Sequence, residues 1–303
     1  MDIVRVGRRG AHLVLMAWLG ALLAASAFGS TQARGRGAER FGNAGPYEVD
    51  TIEKPLCCDS KGNSVEVYLP RARRNGEIYP VVTWGNGTWA KPEKYAFLLR
   101  HLASWGMIVV ATRDSSVGTG ETLRDAVALL KRSELAPLAD RRRIAAIGHS
   151  QGASGAFNAA VAPSSGIGTT ILIDLPGRRL CNREHCAAIP TELRENQSIL
   201  FLSGEKDPLS SPDMIDGYFS EVPAGRLRAK AAIVGADHND IQGQPGCQPF
   251  AIGCRSGIGA FLPYATAWLR WQLAGDKAAA AFFGGKDVPF ARDPRLTGAV
   301  ITR

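Results

Sequence analysis

One stretch of the chain, residues 144–156, constrains the fold more than any other. It begins with an apolar run at 144–147, continues as Gly-His-Ser-Gln-Gly, and goes on with small residues that favour a helix. A strand, a sharp turn centred on serine and a helix in direct succession are typical of a nucleophile elbow. Such a turn strains the backbone of Ser150 and lifts its hydroxyl clear of a sheet, while the flanking glycines, Gly148 and Gly152, let strand and helix approach. A glycine-rich turn with a bystander serine is the alternative.

The first 27 residues have the composition of a secretory signal peptide. Three arginines precede an apolar stretch at about 11–28, and a small-x-small tripeptide that ends at Ala27 offers a cleavage site. Cleavage after Ala33 is a second option. An N-terminal membrane anchor is the alternative, although the apolar run is short for a bilayer span. We therefore expect residues 1–27 to be removed from a secreted or periplasmic protein that has no stable membrane anchor.

Six cysteines follow the expected cleavage site, and an even number in an exported chain indicates disulfides. They are Cys57, Cys58, Cys181, Cys186, Cys247 and Cys254. Cys181 with Cys186, and Cys247 with Cys254, are close enough in sequence to close two loops. The first two cysteines are adjacent, so they form either a strained vicinal bridge or two separate links. A zinc site at Cys181, His185 and Cys186 is an alternative that an oxidising compartment disfavours.

The charge of the chain points to no special partner. The 303 residues carry a formal net charge of +8, which is ordinary for a secreted protein. The basic residues are scattered except for three arginines at 141–143, which we interpret as the solvated entry to a strand. No nucleic-acid-binding motif is present. We therefore expect no binding of RNA or DNA. The protein is also expected to be a monomer.

Apolar runs alternate with helical segments through the rest of the chain. After a flexible segment at 28–44, alternating stretches at 45–52 and 63–70 predict an antiparallel opening pair. Besides the strand and helix of the elbow stretch, buried strands are predicted at 79–84, 107–112, 169–173, 198–203 and 231–235, and helices at 92–105, 118–135 and 258–273. The strand at 231–235 is expected to be the last. This alternation predicts one α/β domain over 45–303, with a mainly parallel sheet covered on both faces.

A reactive serine hydroxyl needs a base within hydrogen-bond reach, and the base needs a carboxylate to orient it. Where the serine lies on an elbow, the acid and then the histidine follow it along the chain. His238 comes directly after the last predicted strand, at the edge where the sites of parallel sheets lie. The other four histidines lie upstream of Ser150, beside it, or between two cysteines. The sequence therefore predicts His238 as the base, with a surface-loop histidine as the alternative.

Two carboxylates compete for the role of the acid. Asp207 follows the strand at 198–203 in a Gly-x-x-Asp-Pro turn, and Asp174 follows the preceding strand. Both are expected at the same edge of the sheet as Ser150. Asp207 is the predicted acid, because the turn after the penultimate strand is the commoner position. Asp174 is then expected at the rim of a pocket or as a hydrogen-bonded structural residue.

Acyl transfer from an ester also needs two N–H donors aimed at the developing oxyanion. One is the amide of Gln151, directly after Ser150 at a helix N-terminus. The other is expected in the glycine-containing loop after the strand at 79–84, where Thr88 is the best candidate. Trp89 and Leu175 are the predicted substrate contacts. For Trp89, packing on the edge of the domain is an equally good interpretation.

Taken together, these motifs resemble the secreted α/β-hydrolases of the cutinase and polyester-hydrolase group. The elbow at 148–152, the turn Gly-Glu-Lys-Asp at 204–207, the turn Gly-Ala-Asp-His at 235–238 and the segment at 267–276 are similar to that group. The likeness covers most of the chain after the leader. The resemblance implies an α/β-hydrolase fold and cleavage of carboxylic esters through an acyl-enzyme, with no metal or organic cofactor.

The spacing between Asp174 and the strand at 198–203 leaves too little chain for a large cap domain. An open cleft suited to bulky or polymeric esters is therefore expected. Thr88 stands where the group often has tyrosine, so cleavage of polyesters themselves is not implied. An amidase or peptidase with the same three residues, and a non-catalytic binding protein on the same scaffold, are the alternative functions.

Overall fold

The computed structural model describes residues 37–52, 54–71, 76–180, 187–188, 190–247, 252–284 and 287–303. The predicted signal peptide lies outside the described residues. So do the disulfide predicted between Cys181 and Cys186 and the alternative zinc site there.

The described chain is an α/β structure built on one sheet of nine strands. The strands are β1 (Val49–Thr51), β2 (Val65–Pro70), β3 (Tyr79–Gly85), β4 (Ile108–Thr112), β5 (Ala139–His149), β6 (Ile167–Ile173), β7 (Ser198–Gly204), β8 (Leu227–Ile233) and β9 (Leu296–Thr302). Their order across the sheet is β1-β2-β4-β3-β5-β6-β7-β8-β9. The six strands from β4 to β8 in this order are parallel, and β1, β2 and β9 pair antiparallel at the two edges. The predicted mainly parallel sheet is confirmed.

Six α-helices accompany the sheet within the described residues. They are α1 (Ala96–Ser104), α2 (Glu121–Arg132), α3 (Gln151–Val161), α4 (Pro212–Glu221), α5 (Leu262–Ala274) and α6 (Lys277–Phe283). Short 3-10 helices lie at Ala38–Gly42, Pro92–Tyr95, Ala136–Leu138, Arg178–Leu180, Pro190–Glu192, Ile258–Ala260 and Pro289–Arg292.

The core forms two apolar layers, one on each face of the sheet. Residues of α1, α5 and α6 pack on one face, and residues of α2, α3 and α4 pack on the other. Successive side chains of a strand alternate between the layers, so Val82 and Trp84 face one layer and Val81 faces the other. Strands buried on both faces read as continuous apolar runs, which is why they were recognisable in the sequence.

The structure differs from the sequence-based expectations at both ends of the domain. Within the segment 28–44, expected to be flexible, Ala38–Gly42 form a 3-10 helix whose Phe41 is fully buried, 5.2 Å from the ring of Trp105. The strand β8 is not the last, because β9 pairs antiparallel with it. Helices α4 and α6 were also not predicted.

Two cysteine pairs fall within the described residues. Cys247 is bonded to Cys254, one of the pairings that the sequence left open, and Cys57 is bonded to its neighbour Cys58. No helix among the residues described above combines the length and the apolar character needed to cross a bilayer.

Candidate active site

Ser150 occupies a sharp turn between β5 and α3. Its backbone has φ 54° and ψ −123°, a conformation that non-glycine residues rarely adopt, and its N–H donates to the carbonyl of Ile173 at 2.9 Å. The flanking glycines are required by close backbone contact. A Cβ on Gly148 would lie 2.0 Å from the carbonyl oxygen of Gly152, and a Cβ on Gly152 would lie 2.1 Å from that of Gly85. The strand–turn–helix predicted for this stretch is therefore present.

His238, which follows β8, contacts both Ser150 and Asp207. Its Nε2 lies 3.1 Å from Oγ of Ser150, and its Nδ1 lies 2.7 Å from Oδ2 of Asp207. A carboxylate only accepts hydrogen bonds, so Nδ1 carries the proton and Nε2 accepts from the serine hydroxyl. The structure thus brings together the three side chains that the sequence singled out.

Asp207 is held rigidly in the turn that follows β7. Its side chain is almost fully buried, and its Oδ1 accepts hydrogen bonds from the amides of Leu209 at 2.7 Å and Ser210 at 3.1 Å. These contacts fix the plane of the carboxylate, which leaves Oδ2 directed at His238. Of the two competing aspartates, Asp207 is the one hydrogen-bonded to the imidazole.

The loop that carries His238 is organised by Asp240, which has no exposed surface. The carboxylate of Asp240 accepts hydrogen bonds from four backbone amides, those of Asp237, Arg255, Ser256 and Gly257. Asp237 in turn accepts from the amide of His238 at 2.8 Å and from Arg255 at 2.8 Å. The disulfide between Cys247 and Cys254 closes the intervening segment. The position of His238 therefore depends on two buried or half-buried carboxylates and one covalent link.

His149 lies directly beneath the site and has only 1% of its surface exposed. Its Nε2 donates to the carbonyl of His238 at 2.8 Å, and its Nδ1 accepts from the hydroxyl of Tyr95 at 2.9 Å. Burial lowers the pKa of His149 well below its usual value, and the neighbouring His238 adds to the effect. His149 is therefore a neutral residue that supports the loop of His238.

The loop between β3 and α1 is anchored by Asn86. This buried side chain donates to the carbonyls of Thr112 and Asp114, at 2.8 and 3.0 Å, and accepts from the indole of Trp84 at 3.0 Å. The sequence analysis did not single out Asn86 or Tyr95, although the Gly-Asn-Gly run marks the loop. For Tyr95, no sequence signal indicates the contact with His149.

Two amides near the elbow are available as donors. In the β3–α1 loop, the amide of Gly87 donates to Tyr95 and that of Trp89 donates to Ser115, whereas the amide of Thr88 has no acceptor among the described residues. Gln151 opens α3, where the first N–H groups have no acceptor within the helix. Its buried side chain accepts a hydrogen bond from the amide of Val117 at 3.0 Å.

The two predicted substrate contacts have opposite environments. Trp89 is 88% exposed and has φ 60°, so its indole projects from the loop rather than packing on the domain edge. Leu175 is fully buried in the core layer that contains α3 and α4, and it has no surface that a substrate could touch in this structure.

Asp174 ends β6 and is fully buried, so it does not lie at the rim of a pocket. Its Oδ1 accepts from the amide of Gly204 at 2.8 Å, while Oδ2 has no hydrogen-bond partner among the described residues and lies 3.9 Å from Nε2 of His149. Burial raises the pKa of Asp174 well above its usual value, and the negative charge of Asp207 raises it further.

Ligand atoms of His149, Asp174 and His238 lie within 4.8 Å of one another, a spacing compatible with a metal ion. The ring nitrogens of both histidines are already used in hydrogen bonds, which a metal would have to break. A second such group contains Asp240, but its two sulfurs, from Cys247 and Cys254, are bonded to each other. The donor chemistry therefore fits a hydrogen-bonded network better than a metal centre.

Chemically, this arrangement can convert a hydroxyl into a nucleophile. The unprotonated Nε2 of His238 can take the proton of Ser150, and the carboxylate of Asp207 stabilises the imidazolium that results. Neither the protein-family models nor the curated proteins contain a match to this chain. The geometry of the site therefore carries the functional argument.

Proposed function

We propose that the protein is a secreted serine hydrolase with an α/β-hydrolase fold that cleaves carboxylic esters. The single observation that carries this proposal is the continuous hydrogen-bonded chain from Oγ of Ser150 through His238 to Asp207. The strained backbone of Ser150 supports it, because strain of this kind persists where the surrounding structure holds it and is concentrated at functional sites.

In the proposed reaction, Ser150 attacks the ester carbonyl while His238 takes the hydroxyl proton. The amides of Thr88 and Gln151 are the proposed donors to the oxyanion of the tetrahedral intermediate. His238 then protonates the leaving alcohol, which leaves an acyl group on Ser150. A water molecule, deprotonated by the same imidazole, releases the acid and restores the enzyme.

The proposed substrates are bulky or polymeric esters that reach an open cleft. Between the end of β6 and the start of β7 there is no room for a large cap domain. Trp89, exposed on the loop that also carries Thr88, offers an aromatic surface for an acyl or aryl group. No metal or organic cofactor is part of the proposed mechanism.

The direct test is a chain-length series of p-nitrophenyl esters, assayed with the wild type and with Ser150→Ala. A fluorophosphonate probe should label the wild type at Ser150 and leave the variant unlabelled. Ser154→Ala, which removes another serine one turn along α3, is the matched control and should keep both labelling and turnover. Absence of labelling in the wild type would favour a non-catalytic binding protein on the same scaffold.

An amidase or peptidase would use the same three residues, so labelling does not separate it from an esterase. Parallel assays on a p-nitrophenyl ester and the matching anilide make this distinction. We expect kcat/KM for the ester to exceed that for the anilide by several orders of magnitude. The reverse ranking would assign the site to amide hydrolysis.

Export is a further part of the proposal. Expression of the full chain in a bacterial host should yield protein in the periplasm or medium that begins after Ala27 or Ala33. Sequencing of the N-terminus checks this, and retention of the intact leader in the membrane fraction would support an anchor instead.

A further inference from the structure

Asp174 is a buried carboxyl group that the proposed mechanism does not use. It follows β6, the strand between the one that ends near Ser150 and the one that leads to Asp207. Its backbone has φ 50°, and its amide donates to the carbonyl of Leu202 at 2.8 Å. A non-glycine residue in this conformation is held there by its surroundings. The strand order thus places Asp174, which has no role in the proposed mechanism, beside Asp207, which has one.

One oxygen of this carboxyl group is satisfied and the other is not. Oδ1 accepts from the amide of Gly204, whereas Oδ2 is buried without a partner among the described residues. An ionised carboxylate buried with an unpaired oxygen is costly, because burial removes the charge from bulk water without a hydrogen bond in return. A protonated Oδ2 would instead donate a hydrogen bond. Protonation of Asp174 therefore explains why this oxygen accepts none.

None of the ionisable groups found around Asp174 in the described part of the chain carries a positive charge. The ionisable side chains that face it are Tyr95, His149, Asp207, His238 and Asp240. His149 is neutral, and its Nε2 proton is directed at the carbonyl of His238 rather than at Asp174, 3.9 Å away. Both aspartates raise the pKa of Asp174 in addition to the larger effect of burial.

Asp207 has one acceptor position to spare. A carboxylate offers about four lone-pair sites. The two on Oδ1 are taken by the amides of Leu209 and Ser210, and one on Oδ2 is taken by Nδ1 of His238. Asp174 accepts from the amide of Gly204, and the amide of Asp207 donates to the carbonyl of the same residue at 3.2 Å, so the two acids are neighbours. An oxygen of Asp174 also lies within 4.8 Å of a ring nitrogen of His238, the imidazole that Asp207 binds. The remaining lone pair of Oδ2 is therefore the acceptor that a proton on Asp174 requires.

We propose that Asp174 is a neutral carboxylic acid that donates a hydrogen bond to Oδ2 of Asp207 and so positions Asp207 against His238. The proton between the two carboxyl groups removes their mutual repulsion and completes the shell of donors around Asp207. The protonation state is independent of the function of the protein, whereas the effect on turnover rests on the proposed esterase activity.

Infrared spectroscopy tests the protonation without any substrate. The wild type at neutral pH should show a carboxylic-acid carbonyl band that shifts in heavy water and is lost in Asp174→Asn. Asp293→Asn is the matched control, because Asp293 is a buried carboxylate paired with Arg295 at 2.7 Å. It should leave the band in place. If Asp174→Asn removes no such band, Asp174 is ionised and the proposal is wrong.

The coupling between the two acids is tested by titrating the same band. Removing the charge of Asp207 in Asp207→Asn should move the titration of Asp174 to lower pH, by about one pH unit or more for charges in contact. Ser150→Ala, which leaves both carboxyl groups in place, should not move it. An identical titration in Asp207→Asn and wild type would exclude the proposed contact.

Turnover tests the positioning role. Asp174→Ala should lower kcat by about tenfold to hundredfold, the usual cost of leaving buried partners unpaired, with little change in KM. Asp174→Asn should recover most of this loss, because an amide can donate to Asp207 and accept from Gly204. Equal losses in the two variants, with both folded, would contradict the role. If the wild type hydrolyses no ester, the proposed function is wrong. The infrared measurement still shows whether Asp174 is protonated, because it needs no substrate.

Discussion

The carboxylate of Asp207 and Nδ1 of His238 lie 2.7 Å apart, although 31 residues separate them in the chain. They follow β7 and β8, which are adjacent parallel strands, so both emerge at the same edge of the sheet. Both side chains are buried, which strengthens their electrostatic interaction relative to water. The contact fixes which nitrogen of the imidazole is left to face Ser150.

Asp207→Asn is expected to lower kcat by about 10⁴-fold, because an amide can hold the imidazole in the wrong tautomer. Turnover of a p-nitrophenyl ester measures this. Glu205→Gln is the control, since Glu205 lies two residues away and its side chain, among the described residues, bonds to the amide of Gly235 and to Lys206. It should keep kcat within about twofold, as surface changes usually do. A comparable loss of kcat in both variants would show that activity depends on the conformation of the turn and not on the carboxylate of Asp207.

Gly148→Ala should lower the free energy of unfolding by about 3 kcal/mol or more, because the new Cβ meets backbone that cannot move aside. The predicted contact is 2.0 Å from the carbonyl oxygen of Gly152. Gly217→Ala lies within α4 with nothing within 4 Å of its Cβ, so it should raise stability by about 0.5–1 kcal/mol. Urea unfolding measures both. Equal stability of the two variants would refute the tight elbow.

Replacing Cys247 and Cys254 together by serine should lower the free energy of unfolding by about 2–3 kcal/mol, the value for a short closed loop. We also expect lower kcat, because the residues that directly follow Cys254 supply amides that bind Asp240, and Asp240 holds the loop that carries His238. The exposed pair Cys57 and Cys58, replaced in the same way, is the control for activity. Turnover of the first variant at the wild-type level would show that Asp240 alone holds the loop.

Stability should fall as the pH drops below about 6.5, the pKa of an unfolded histidine. Burial lowers the pKa of both His101 and His149 in the folded state. The unfolded chain then binds protons that the folded chain does not, so each histidine contributes stability that is present above pH 6.5 and lost below it, by up to about 1.4 kcal/mol per pH unit. The raised pKa of Asp174 acts in the opposite direction, but the two histidines together outweigh this one carboxyl group.

Urea unfolding at pH 7.5, 6.5 and 5.5 measures this slope, and His101→Gln should reduce it. The side chain of His101 hydrogen-bonds to the carbonyl of Phe41 and to Thr266, far from the candidate site, so the variant reports on stability without touching Ser150. An unchanged slope would show that His101 takes up its proton in the folded state as well.

The parallel core of the fold and the three interacting side chains could be predicted from sequence. Strands buried on both faces are continuous apolar runs, and the end of each such run marks one edge of the sheet. β5, β7 and β8 are parallel, so their carboxyl ends lie at the same edge of the sheet. The residues that follow these strands were therefore expected to lie close together. Ser150, Asp207 and His238 could be identified in this way from local patterns alone.

The elements that escaped prediction have weaker or non-local signals. β9 is a half-exposed edge strand interrupted by Gly298, so neither alternation nor a continuous apolar run marks it. Phe41 is buried only because α5 and Trp105 lie over it, in a segment whose composition is that of a flexible linker. The burial of Leu175 and Asp174, and the contact of Tyr95 with His149, likewise depend on packing between distant segments.

The position of Asp174 has a consequence for how such sites can change during evolution. Two acids at the ends of adjacent strands stand within reach of one imidazole, although only one is bonded to it. A lineage could therefore transfer the orienting role from one strand to its neighbour through single substitutions, without passing through a form that lacks an acid altogether. The two neighbouring strand ends thus offer two positions from which a carboxyl group can reach the same histidine.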